Sequence, residues 1–211
     1  MKKLSYSVLI FILIVFSGSI LFAANTLPSS TTSPIPSAAA ATPTPVPSIT
    51  STPTPTLNSL LIETEQYSYK VTEPLKWRGF TADAAKYLVD VYLAMDKYTF
   101  SDSPAIMYVK TQKKSGYSAK QHLAWDIDDL KSRNDGIQIN DLRVGEMYYE
   151  YAARVYQADM KHINYLCYVD PGPNEPYYLV FTLSGAKEIC DNNKEIFIFL
   201  LKSFWWMGSR Y

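Results

Sequence analysis

Four scarce side chains in this chain of 211 residues could do acid–base or nucleophilic work: His122, His162, Cys167 and Cys190. Zinc takes about four such N and S ligands in close geometry, but no C-x-x-C or H-x-x-x-H spacing gathers these, so all four positions would have to converge. Asp126, Asp128 and Asp129 resemble the start of a carboxylate cluster. On a helix they fan apart, and no glycine follows at the calcium-loop offset, so a solvated helix face is expected and no metal site. His162 and Cys167 are close enough in sequence for a base and a thiol, yet five residues along one strand means opposite faces of a sheet. Two further signatures to look for are a G-x-S-x-G nucleophile elbow and a phosphate-cradling glycine loop. The eight glycines form neither, so no catalytic residue and no cofactor are expected.

The cysteines have another use. If the chain is exported, a disulfide is permitted, and Cys167 on a strand could be bonded to Cys190 on a helix. A closed loop of about 23 residues would stabilise by roughly 3 kcal/mol on the chain-entropy model. The alternative is that Cys167 is a small buried core residue and Cys190 lies at the helix flank. Tyrosine is the remaining anomaly, with seventeen in all and Tyr148, Tyr149, Tyr151 and Tyr156 in one run. A Tyr-rich sheet face can bind sugar or protein through wet hydroxyls and apolar rings. It can equally be cross-strand packing, since tyrosine is a favoured strand residue.

The segments that must position these residues begin well into the chain. Lys2 and Lys3 precede an apolar run from Tyr6 to Ala24, a signal peptide or, uncleaved, an N-terminal membrane anchor. No cysteine stands there for a lipoprotein anchor. Either way the remainder is exported, to the cell surface or periplasm, tethered or secreted. Residues 25–58 carry no charge and are rich in Pro, Ser and Thr, most densely from Pro43 to Thr56. Such a segment cannot bury enough surface to offset its ordering entropy, and is expected to be a disordered linker that provides reach. Residues 59–211 form the expected folded domain. Its twenty acidic residues, against eighteen Lys and Arg once Lys2 and Lys3 are set aside, leave it at 18 − 20 = −2. No basic run is present, which argues against nucleic acid as a partner.

Within that domain Tyr67, Tyr69 and Val71 alternate with polar residues as a strand does, up to Glu73-Pro74. Tyr87–Ala94 and Ala105–Thr111 read as further strands, with a loop between. Ser118 and Gln121 make a capping-box pattern opening a helix with Leu123, Ile127 and Leu130 inward. Asn134-Asp135-Gly136 ends it. A meander follows in four strand-like runs, with a turn at Asp159–Lys161 and a hairpin at Asp170-Pro171-Gly172-Pro173. A last helix is expected from about Ala186 to Met207, with Ile189, Ile196, Phe199, Leu200 and Ser203 on one face and the Trp205-Trp206 pair against the sheet. The order implies an α+β domain with a largely antiparallel sheet covered by helices.

The stretch from Tyr67 to Trp77, the segment from Val89 to Thr111 with its D-S-P loop, the strand at Ile163–Asp170 and the end at Phe199–Trp206 together resemble the PsbP-like superfamily. The resemblance covers roughly Tyr67 to Trp206 and its motifs are structural. It implies an α/β/α sandwich around an antiparallel sheet. Plant and cyanobacterial members are extrinsic photosystem subunits, while many prokaryotic relatives have no assigned role, and nothing in this chain carries the photosystem role over. The leading reading is an exported, non-catalytic module that binds a protein or envelope polymer, with the membrane reached through the N-terminal segment if it is uncleaved. The runner-up is a carbohydrate- or small-ligand-binding domain using the Tyr-rich surface, and the third a hydrolase.

Overall fold

Alternation along the strands decides how the layers stack. The computed structural model describes residues 57–144, 150–156 and 161–210. The expected signal or anchor, residues 25–56 of the linker, and Tyr148, Tyr149, Asp159 and Met160 lie outside the described residues. The elements, in order, are β1 (Ser59–Glu63), β2 (Tyr67–Thr72), β3 (Trp77–Phe80), β4 (Val91–Met95), β5 (Ala105–Lys113), α1 (Ala119–Arg133), β6 (Gln138–Asp141), β7 (Glu150–Tyr156), β8 (His162–Val169), β9 (Tyr177–Ala186), α2 (Lys187–Asn192), α3 (Lys194–Lys202) and β10 (Trp205–Ser209).

Seven strands make one antiparallel sheet in the order β3-β4-β5-β9-β8-β7-β6, and three make a second in the order β1-β2-β10. In β8, Ile163, Tyr165, Cys167 and Val169 point to one face and Leu166 and Tyr168 to the other. The first face is covered by the small sheet, through Ile62, Tyr69 and Val71, and by α3, through Phe197, Leu200 and Leu201. The second face is covered by α1, whose Leu123 and Leu130 pack on Tyr168, Tyr178 and Val180. This is the expected α+β architecture, helices on both sides of a largely antiparallel sheet, with a small sheet sharing one outer layer.

One carboxylate gathers donors from both sheets. Asp90, just before β4, accepts hydrogen bonds from the Tyr67 hydroxyl at 2.9 Å and the Tyr69 hydroxyl at 3.1 Å. It also accepts from the backbone N–H and the hydroxyl of Thr111 on β5, at 2.9 and 2.6 Å. Small-sheet tyrosines and a large-sheet threonine therefore share one acceptor. At the far side of the small sheet Gly79 lies under Leu60, so close that a Cβ there would overlap the leucine methyl.

Two expected elements are corrected. The strand read from Tyr87 starts only at Val91. Ala84–Tyr87 is a single 3-10 turn, and Leu88 takes a left-handed conformation, φ 57°, with its N–H on the carbonyls of Ala84 and Ala85. The alternation of Tyr87, Val89 and Val91 belongs to a turn feeding a strand. The single last helix is two short helices and a strand. Asn193 interrupts it and its side chain donates to the Ile189 carbonyl at 2.8 Å. Ser203 closes α3 onto the Leu200 carbonyl at 2.7 Å. Trp205 and Trp206 then pair with Lys70 and Tyr69 of β2, as bulky aromatics favour. The buried phase is Cys190, Phe197, Leu200 and Leu201, while Phe199 is exposed.

Candidate functional site

A concentrated group of chemically capable side chains lies around the start of α1. Ser118 accepts from the Gln121 N–H at 3.3 Å and the Gln121 side chain accepts from the Ser118 N–H at 2.9 Å, a reciprocal capping box. That cap fixes the helix phase. With Leu123 and Leu130 turned to the sheet, His122, Trp125 and Asp126, at i, i+3 and i+4, share one flank. Tyr117, the residue before the cap, folds against this flank.

The rings interlock. His122 stacks on Tyr178 of β9 with centroids 4.5 Å apart. Its Nε2–H donates to the Lys114 carbonyl at 2.9 Å. Trp125 meets His122 edge-on at 5.5 Å and Tyr117 at 4.6 Å. Tyr178 stacks at 5.8 Å on Tyr168 of β8. The inner rings are covered, whereas Tyr117 and Trp125 are 46 % and 48 % exposed. An aromatic corner therefore faces solvent, backed by histidine and two sheet tyrosines.

Polar contacts hold this backing in place. The Tyr168 hydroxyl donates to Asp126, and the Tyr178 hydroxyl donates to the Gln112 side chain at 2.6 Å. Lys114 Nζ reaches Asp170 and the Gly172 carbonyl, both at 2.6 Å, fastening the β8–β9 hairpin to the end of β5. Burial pushes the Asp126 carboxyl above its ordinary value, with the Tyr168 hydrogen bond opposing. Burial and the neighbouring Asp126 raise the phenol of Tyr168, and the same two causes act on Tyr178. Both phenols therefore stay protonated donors at neutral pH.

The residues singled out from sequence are dispersed. Asp126 is half-buried, Asp128 is exposed, and Asp129 pairs with Arg133 at 2.8 Å. Among the described residues no group of three or more His, Cys, Asp or Glu is placed to hold a metal ion. His162 and Cys167 lie on opposite faces of the large sheet, so the thiol and that imidazole are not brought together. Cys167 and Cys190 are both buried in the same core. The sheet-to-helix disulfide weighed above is not formed. The Cys190 thiol points to the Ile163 carbonyl at 3.9 Å. Cys167 is four residues further along β8, about 13 Å at strand rise. Burial pushes the Cys190 thiol up to about 12, which keeps it an unreactive core group. Of the tyrosine run, Tyr148 and Tyr149 lie outside the described residues, and Tyr151 and Tyr156 are placed as backbone of β7.

No family model matches the chain, and no curated protein matches it. Among solved structures, the solution structure of cyanobacterial PsbP (CyanoP) from Synechocystis sp. PCC 6803 is similar to it. The match covers 77 % of this chain and 99 % of that one, at 17 % identity and a TM-score of 0.44.

Proposed function

We propose that the chain is an exported, tethered module that binds rather than transforms its ligand, and that the ligand is a sugar unit of an envelope polymer seated on Tyr117 and Trp125. The observation that carries this reading is the pair of half-exposed rings meeting edge-on at 4.6 Å. Leaving such rings in water forgoes burial worth about 2 kcal/mol each, so a fold that keeps them there points to a ligand with apolar faces. Sugar rings offer C–H faces for stacking and hydroxyls for the polar rim. Binding without turnover is supported by the engagement of the polar groups behind the rings. His122 is bonded to a carbonyl, Asp126 to Tyr168, and Tyr178 to Gln112.

The test is a titration of the protein with soluble N-acetylglucosamine oligomers and with oligosaccharides released from envelope polymer, read by tryptophan fluorescence and calorimetry. A saturable signal is expected, with Trp125→Ala weakening binding about tenfold, the equivalent of 1.4 kcal/mol. Trp205→Ala removes a more exposed ring elsewhere, 70 % exposed, and is expected to leave the affinity unchanged. Equal loss in both variants, or no binding of any sugar, would remove the assignment.

A further inference from the structure

Four strands border the two sheets: β3 and β6 in the large one, β1 and β10 in the small one. The outward N–H and C=O groups of such a strand are a template for another strand, and edges are usually blunted against it. Three of these edges are blunted. The outward N–H groups of β3 are taken, Trp77 by the Pro74 carbonyl at 3.1 Å and Gly79 by the Glu73 carboxylate. β10 breaks register in a bulge between Trp206 and Gly208. β6 is four residues long and carries Gln138, Asn140 and Asp141.

Among the described residues β1 is the least guarded: its one charge, Glu63, is drawn to Arg210 of the same chain. The strand sequence, SLLIE, has neither Pro, Gly nor Lys, and it pairs with β2 without a bulge. The Glu73 N–H bonds the Asn58 carbonyl and the Thr64 N–H bonds the Tyr67 carbonyl, at 2.8 and 3.0 Å, which fixes the phase of the ladder. Leu60 and Ile62 therefore turn their backbone groups to β2, and Ser59, Leu61 and Glu63 turn theirs outward. The Leu61 side chain is 47 % exposed. Register puts it in one row with Lys70 and Trp205 on the outer face of the small sheet.

We propose that β1 pairs antiparallel with β1 of a second copy of this chain, about a two-fold axis at Leu61, joining the two small sheets into one. The outward set is self-complementary in that register. Leu61 exchanges both backbone bonds with Leu61 of the second copy, and Ser59 does so with Glu63 of the second copy, in both directions. All three pairings use groups that already face outward. Leucine meets leucine at the axis, and no like charges are opposed, since each Glu63 faces a serine and is already paired with Arg210 of its own chain. The interface is a short strand pairing, so the association is weak and concentration-dependent.

The test follows backbone amide hydrogen exchange and sedimentation of the full chain over a concentration series. Slower exchange of the Leu61 and Glu63 amides is expected as concentration rises, together with a mass moving from 23.9 kDa toward twice that value. Leu61→Pro removes an outward N–H and no bond to β2, a position an edge strand tolerates; it is expected to abolish both changes while the far-UV spectrum is kept. If that variant fails to fold, Leu61→Lys decides, because it opposes two ammonium groups at the axis. Wild-type amides that exchange at the same rate at every concentration would overturn the proposal. So would association that persists in Leu61→Lys, or amides already protected in a chain of monomer mass, which would assign the edge to a different strand.

Discussion

Among the carboxylates that take hydrogen bonds from tyrosines, Asp90 and Asp126 do opposite jobs. Asp90 binds Tyr67, Tyr69 and both donors of Thr111 at the junction of the two sheets. The rings around it, Tyr69 with Phe204 and Trp206, are packed inward with centroids 5.7 and 6.3 Å from Tyr69. Asp126 takes Tyr168 on the opposite face, but the aromatic group beyond it ends in rings that solvent reaches. The same residue types therefore make a fastening where the chain packs around them and a solvent-facing corner where it does not. What separates the two is how far the outermost rings stand in solvent.

That contrast is most easily broken at Asp90. Asp90→Ala leaves two phenols and a threonine without their acceptor, and is expected to cost on the order of 3 kcal/mol in denaturant unfolding. A loss below about 1 kcal/mol would mean the Asp90 cluster adds little to the joining of the sheets. Tyr69→Phe removes one donor and keeps the ring, so a smaller loss of about 1 kcal/mol is expected. A loss equal to that of Asp90→Ala would place the whole effect in this one bond.

The Asp126 side behaves differently with pH. Burial raises its folded-state pKa above the ordinary 3.8. Its stabilising contribution is complete below that value and is lost as pH rises through the raised one, where the ionised carboxylate is the disfavoured form. Asn keeps an acceptor for Tyr168 and cannot ionise. Asp126→Asn is therefore expected to be more stable than the wild type at neutral pH, with the gap closing in acid. A neutral-pH loss that vanishes in acid would reverse the sign and contradict the burial argument. Trp125→Ala should have the smallest effect on stability, within about 0.5 kcal/mol, because half of the ring is already in water. Melting curves superimposable on wild type would sharpen the division between fastening and corner, and a loss above about 2 kcal/mol would make Trp125 a core residue.

Much of the fastening was legible in the sequence and little of the corner was. Tyr67, Tyr69 and Val71 announce β2 by alternation, and Ser118 with Gln121 announces α1 by its cap, because these signals are local. The Asp170–Pro173 turn likewise marks two neighbouring strands. The C-terminal stretch misleads because its apolar residues suit a helix, while Asn193 and Ser203 break it with side-chain bonds to carbonyls one turn back. The corner joins Tyr117, His122 and Trp125 to Tyr168 and Tyr178, and register across β5, β9 and β8 decides that meeting. The only local sign was the shared flank of His122, Trp125 and Asp126.

The most direct measurement is a map of backbone amide shifts while oligosaccharide is added to the isotope-labelled protein. A binding corner on α1 predicts that shifts concentrate at Lys114–Asp126 and at Tyr178, while the amides around Asp90, Tyr67 and Tyr69 stay still. Shifts gathered on the Asp90 side or along β10, with the α1 flank unmoved, would contradict it.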